Sequence, residues 1–179
     1  MNLEEKQISS EYIYQGKIIK LRRDTALLPN GKNATREVVE HNGGVCVAAL
    51  TDNDEVLFVK QFRYPYMEIV TEIPAGKRDS ADEDPLACGK RELKEETGLT
   101  AEKMNYMGCL LPSPGYTNEI IYLYHAEGLS KSEQHLDDDE FLDVSLVPLE
   151  KLKNMCMSGE IADAKTIALV LKTYIKLHS

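Results

Sequence analysis

The spacing of apolar positions changes along the chain, and with it the element each stretch predicts. The N-terminal rhythm is that of strands: Tyr12 to Tyr14, then Gly16 and an alternating run from Lys17 to Leu28. The turn Pro29-Asn30-Gly31-Lys32 leads into a further strand from Arg36 to His41. The unbroken apolar run Val45 to Leu50 reads as a buried strand. A turn at Asp52-Asn53-Asp54 follows, then strands at Val56 to Arg63 and Glu68 to Ile73. The period then lengthens. Asp84 can cap a helix, Pro85 suits its first turn and Gly98 stops it, while Leu86 and Leu93 fall two turns apart on one face. Gly89 is a poor helix former inside that segment. Beyond it, Tyr106 to Leu111, Ile120 to Ala126 and Phe141 to Val147 predict strands, with loops at Leu111 to Asn118 and Ser130 to Glu140. Two helices close the chain, Leu149 to Met157 and Ala164 to Leu177. Ile167, Ala168, Leu171, Tyr174 and Ile175 form a stripe on the second that is expected to face the core.

Composition narrows the class. A chain of 179 residues with 42% hydrophobic content can bury one core, and neither a repeat nor a linker divides it. The apolar run Val45 to Leu50 is far too short to span a bilayer, and Met1 to Ser10 is acidic and polar, so a cytoplasmic protein is expected. Cys46, Cys88, Cys109 and Cys156 are widely spaced with no C-x-x-C pair, which suits reduced thiols and not a zinc set. His41, His125, His135 and His178 are equally scattered. A net charge of -9 argues against nucleic acid or an anionic membrane as partner, and makes an anionic substrate possible only with cations present.

The capped helix carries what such cations need. Within Arg91-Glu92-Leu93-Lys94-Glu95-Glu96, Glu92 and Glu96 are four apart and Glu92 and Glu95 three apart. Like charges so placed destabilise an isolated helix, so something positive belongs beside them. Oxygen-rich carboxylate sites suit Mg2+ or Mn2+, which keep waters and pair with substrate phosphates. Arg91 can reach Glu95 one turn on while Glu92 and Glu96 face a metal. The bland alternative is a solvated acidic face paired with Lys90 and Lys94.

The spacing favours the first. The segment resembles the Nudix box, G-x5-E-x7-R-E-U-x-E-E-x-G-U with U a bulky aliphatic residue, which Glu83, Arg91, Glu92, Leu93, Glu95, Glu96, Gly98 and Leu99 match. One departure lies upstream, where six residues and not five separate Gly76 from Glu83, an insertion within Lys77 to Asp82. Gly76, Glu83, Arg91 and Gly98 are then the structural positions of the box. The likeness runs from Tyr12 to Leu177 and is strongest to the ADP-ribose pyrophosphatase branch, through Thr35-Arg36-Glu37, Val59-Lys60-Gln61-Phe62-Arg63, Glu72-Ile73-Pro74-Ala75-Gly76-Lys77, Ser113 to Glu119, and Asp137-Asp138-Asp139-Glu140-Phe141.

That resemblance implies an α/β fold: a Nudix α/β/α sandwich with a mixed sheet and an N-terminal antiparallel strand extension. Residues 1–42 would be the N-terminal strands, a dimerisation extension, and 43–179 the Nudix hydrolase domain, in a homodimer. The implied reaction is metal-dependent hydrolysis of ADP-ribose to AMP and ribose 5-phosphate. Mg2+, or Mn2+, with more than one ion per site when substrate is bound, would sit on Glu92, Glu96, the Ala75 carbonyl and Glu140, with Glu95 a further ligand. Arg36, Arg63, Tyr116 and Glu119 would meet substrate. The branch often assigns the general base to a glutamate two residues before the loop ligand, and here that position is Asp138, one methylene shorter, so Asp138 and Glu140 share the candidacy. Alternatives are a Nudix pyrophosphatase for another nucleoside diphosphate sugar, ADP-glucose or GDP-mannose, and a catalytically weak nucleotide-binding regulator.

Overall fold

A computed structural model describes residues 2–136 and 141–179. In chain order it comprises β1 (Lys6–Gln15), β2 (Lys20–Leu27), β3 (Asn33–Glu40), β4 (Gly44–Ala49), β5 (Glu55–Arg63), β6 (Glu68–Glu72) and β7 (Ala75–Lys77). After these come α1 (Pro85–Thr97), β8 (Leu99–Leu110), β9 (Ile121–Lys131), β10 (Leu142–Pro148), α2 (Leu149–Ser158) and α3 (Ala164–Leu177). The strands form three sheets: an antiparallel β1-β2-β3, an antiparallel β10-β5-β6, and a mixed β7-β4-β9-β8 in which β4 and β9 run parallel.

The centre of the molecule is β4, buried along its whole length. Its side chains alternate between two layers, as the strand period of two requires. Cys46 and Ala48 pack with Leu152, Ile161, Leu169 and Val170 beneath α2 and α3. On the other face, Val45 meets Cys88, and Val47 and Ala49 join Leu93 beneath α1. Helices therefore cover both faces of one strand, which explains the continuous apolar run. Gly89 has its reason in this packing. A Cβ there would stand 3.2 Å from Met104 Cε and in contact with Tyr124 and Val47, so the glycine lets α1 lie close to the sheet.

Several boundaries differ from the sequence expectation. β1 begins at Lys6, well before Tyr12, because every one of its residues is exposed and an edge strand with no buried face shows no alternation. Residues 17–19 belong to the turn before β2, closed by the Gly16 N–H on the Ile19 carbonyl at 2.9 Å. β8 starts directly after Gly98, where the charged pair Glu102-Lys103 breaks the apolar rhythm, and β9 runs on to Lys131, into the stretch expected as loop. On α3 the deepest face is Thr166, Leu169, Val170 and Thr173. The expected stripe is only half-buried, and Ile175 is exposed. Thr166 can sit inside because its hydroxyl is fully engaged, donating to Asp163 Oδ2 at 2.6 Å and accepting from the Ile73 N–H at 3.0 Å.

Candidate active site

The capping residues expected for α1 are those found. Asp84 accepts from the Ala87 N–H at 3.0 Å, Pro85 opens the helix, and Gly98 closes it in the left-handed region at φ 66°. Between these ends Cys88, Gly89 and Leu93 pack on the sheet, and the same buried face carries Glu92 and Glu96. Two carboxylates on a buried face are costly unless the site serves them. Glu92 is 8% exposed and Glu96 only 2%. Both lie against β7, which β4 holds through the pairs Val45 with Gly76 and Cys46 with Ala75. The Ala75 N–H donates to Glu96 Oε2 at 3.1 Å. The Glu92 carboxylate presses on the Cα of Gly76, where any Cβ would overlap it.

Arg91 organises the outer side. Its Nη1 donates to Glu92 Oε1 at 2.8 Å and to Glu95 Oε2 at 3.0 Å, and its Nη2 reaches Glu83 Oε1 at 3.2 Å and the Lys77 carbonyl at 3.3 Å. Burial opposes the Arg91 charge, but Glu92 and Glu95 more than offset it, and its pKa is raised. Glu83 also accepts from the Asp79 N–H at 2.7 Å. Burial pushes the Glu83 carboxyl up, yet that backbone bond and Arg91 outweigh it and hold the group below its ordinary value. The inserted loop is closed by Arg78, which donates to the carbonyls of Asn42 at 3.1 Å, Glu83 at 2.9 Å and Ala81.

A cleft of about 300 Å³ opens beside β7. Ala75, Gly76 and Lys77 form one side, Arg63, Asp163 and Lys165 another, and His41 and Glu119 a third. Arg63 donates from Nε and Nη2 to the two oxygens of Glu72, at 2.6 and 2.7 Å. Glu72 is 2% exposed, and burial would raise its pKa, but Arg63 and Lys165 prevail and it is lowered. The bond to Glu72 raises the Arg63 pKa against burial, and the charges of Asp163 and Glu96 add to the effect. His41 accepts the Gly43 N–H at Nδ1, 3.1 Å away, and lies 3.4 Å from Glu119.

Among the described residues no three His, Cys, Asp or Glu side chains converge into a closed metal cage. What converges is two buried carboxylates, of Glu92 and Glu96, against the glycine-bared backbone of β7, which borders the cleft; the side-chain donors are all oxygen. That fits a hard divalent cation that keeps waters and takes further ligands from phosphate.

Residues 40–170 match the model of the NUDIX domain. The chain belongs to the Nudix family. Residues 5–39 match a second model, the nucleoside diphosphate sugar hydrolase N-terminal domain. Among its relatives, an ADP-ribose pyrophosphatase from Bacillus subtilis is 45% identical over 92% of this chain and 90% of its own length. A methanol dehydrogenase activator from Bacillus methanolicus is 42% identical over 98% of this chain and 94% of its own. An ADP-ribose pyrophosphatase from Mycobacterium tuberculosis is 36% identical over 93% and 82%. In fold, the chain superposes on the crystal structure of an ADP compounds hydrolase with a TM-score of 0.86, at 17% identity, over 99% of this chain and 97% of that one. The α/β architecture expected from the box is therefore the Nudix fold, and the protein is a Nudix hydrolase.

In this Nudix hydrolase the predicted site residues are distributed unevenly. Glu96 and Glu92 meet the β7 backbone at Ala75 and Gly76, and it is Ala75 and Gly76 that line the cleft together with Arg63 and Glu119. Glu95 turns to Arg91. Tyr116 is exposed and lines an adjoining cavity that shares His41 and Glu119. Arg36 lies on β3 with its guanidinium on Glu5 at 2.6 and 2.9 Å, outside the cleft. Asp138 and Glu140 lie outside the described residues. Sequence reasoning missed His41, Asp163 and Lys165. Asp163 carried a signal, since it stands as an N-cap immediately before α3, and its side chain accepts the Thr166 N–H at 3.0 Å. Lys165 and His41 carried none.

Proposed function

We propose that this protein hydrolyses the pyrophosphate bond of ADP-ribose to AMP and ribose 5-phosphate, using Mg2+ or Mn2+, with more than one ion when substrate is bound. The observation that carries the substrate is the 45% identity, over nearly the whole chain, to a relative named ADP-ribose pyrophosphatase. Glu92 and Glu96 would hold the metal, with the Ala75 carbonyl and Glu140 completing the set and Glu95 in reserve. When bound, divalent metal supplies activation of the attacking water and neutralisation of charge on the diphosphate. Arg91 holds Glu92 in place, Arg63 offers a guanidinium to phosphate, and Tyr116 and Glu119 border the sugar or nucleoside. Asp138 or Glu140 takes the proton from water.

We further take residues 1–42 as a dimerisation extension, and 43–179 as the catalytic domain of a homodimer. Arg36, on β3, then contacts substrate from the partner subunit. The exposure of all of β1 supports this. Four free cysteines suit the cytoplasm, and no helix among the described residues is long and apolar enough to cross a membrane.

A second reading is hydrolysis of another nucleoside diphosphate sugar, favoured by 30% identity, over 80% of this chain, to a GDP-mannose pyrophosphatase from Yersinia pestis. One panel separates the two. ADP-ribose, ADP-glucose and GDP-mannose are compared with Mg2+ for kcat/KM and released nucleotide. ADP-ribose is expected to rank first, and a reversed order moves the protein to the second reading. Absence of turnover throughout would favour a nucleotide-binding regulator, a role for which the activator-named relative is the one pointer.

A further inference from the structure

We propose that Lys165 is a positioning residue for substrate, acting through Glu72 on the guanidinium of Arg63; this rests on the reading that Arg63 contacts the diphosphate. Arg63 has five N–H donors, and Glu72 takes two of them, from Nε and Nη2. Three remain, and those on Nη1 and the outer side of Nη2 form the fork that matches two phosphate oxygens. The direction of that fork is set by the plane of the Glu72 carboxylate. Glu72 is enclosed at the end of a short strand, whereas the Arg63 side chain is 37% exposed and takes its direction from the carboxylate it grips.

Lys165 holds that carboxylate in turn. Its Nζ bonds Glu72 Oε2 and lies 2.9 Å from Asp163 Oδ1. The other oxygen of Asp163 accepts the Thr166 N–H at 3.0 Å and the Thr166 hydroxyl at 2.6 Å. The Thr166 hydroxyl accepts in turn from the N–H of Ile73, the residue next to Glu72, at 3.0 Å. The bonds thus close a ring from Glu72 through Lys165, Asp163 and Thr166 back to the strand. The first turn of α3 acts as the frame against which Glu72 is held. Lys165 has a second effect of the same sign. The group holds two cations and two carboxylates, and without Lys165 the Arg63 charge would answer to both carboxylates alone, leaving the cleft a poorer place for an anionic diphosphate.

The test is a double-mutant cycle on the full chain with Mg2+ and the best substrate of the panel above. Lys165→Met is expected to raise KM about tenfold with kcat changed less than about threefold, and Lys165→Arg to restore most of the loss. Arg63→Lys keeps a cation for Glu72 but lacks the fork, and should itself raise KM. Added to Arg63→Lys, Lys165→Met should raise KM little further, since the geometry it protects is gone. Equal fold-changes in both backgrounds, or a KM unmoved by Lys165→Met, overturn the proposal. An unmoved KM in Arg63→Lys sinks the Arg63 reading itself, a separate result. If circular dichroism shows that Lys165→Met does not fold, Asp163→Asn, which keeps the cap shape and weakens the hold on Lys165, replaces it in the same cycle, and an unchanged KM there is equally decisive against the proposal.

Discussion

Glu96 is the most enclosed acid of the carboxylate helix, 2% exposed and receiving a backbone N–H from β7. Glu96→Gln keeps shape and that hydrogen bond while removing charge, so kcat should fall by about a hundredfold or more with an unchanged circular dichroism spectrum. Near-normal turnover would remove Glu96 from the metal site. The loop acids divide by their response to metal. If Glu140 is a ligand, Glu140→Gln loses rate that added Mg2+ partly recovers; if Asp138 is the base, Asp138→Asn loses kcat that added Mg2+ does not recover. A silent Asp138→Asn leaves the task to Glu140. A different residue bears on stability just below neutral pH. His125 is fully buried on β9, and among the described residues neither ring nitrogen has a partner in hydrogen-bonding geometry, although Glu127 Oε1 lies 3.3 Å from Nδ1. Burial lowers its pKa below 6.5, Lys176 and Lys103 act in the same direction, and Glu127 opposes them. The unfolded chain therefore takes up a proton near pH 6.5 that the folded chain refuses. Stability should decline as pH falls below that value, by at most about 1.4 kcal/mol per pH unit, and urea titrations of His125→Gln should show the slope flattened.

Elements were legible where one face is buried and local chemistry agrees with it. Helix α1 was readable to the residue because Asp84, Pro85 and Gly98 punctuate it, and α3 because its apolar period is strong. The carboxylate half of the site was readable for the same reason, since one helix carries it and its spacing is local. The other half is assembled from β5, β6 and α3, whose meeting no short-range pattern records. Lys165 is 93 residues from Glu72 in sequence and bonded to it in space. Strand ends failed where solvent reaches both faces, as along β1, and where a charged pair interrupts the alternation, as at Glu102-Lys103 in β8. The cap of α1 offers a test at this scale. Asp84→Ala removes the acceptor for the Ala87 N–H and should cost about 1 kcal/mol of stability by denaturant unfolding. Because Glu92 and Glu96 sit about two and three turns beyond the cap, the KM for Mg2+ should change less than stability does. A larger change in metal dependence than in unfolding free energy would mean that the cap orients the site directly.

At the scale of the whole molecule, the N-terminal sheet is joined to the core through few bonds. Val39 exchanges N–H and carbonyl groups with the Tyr116 carbonyl and the Asn118 N–H, at 2.7 and 3.2 Å, and the His41 N–H reaches the Asn118 side chain at 2.9 Å. Outboard of these, Ile8, Tyr12, Ile13, Tyr14 and Ile18 are each at least half exposed, on or beside a three-stranded sheet in which β1 is an edge strand and β3 meets the core only near Val39 among the described residues. A sheet of that kind with no layer across it is marginal in water, and open edges invite a partner strand. Elsewhere Phe62, Tyr64, Tyr66, Met67 and Ile69 expose a second apolar surface on the hairpin of β5 and β6. Two copies related by a twofold axis could lay the first surface of each on the other, an isologous contact that closes on itself. The expected species in sedimentation at micromolar concentration is thus a dimer of the 20.1 kDa chain. Replacing Tyr12 and Tyr14 together by Lys should shift it toward monomer. Activity decides whether the contact matters to the site. If Arg36 reaches substrate only from the partner, the monomeric variant should lose kcat/KM, and mixing two impaired chains, Arg36→Ala and Glu96→Gln, should restore part of the rate through mixed dimers that hold one complete site. A fully active 20 kDa species would instead confine the catalytic machinery to one chain and leave Arg36 as the ion-pair partner of Glu5.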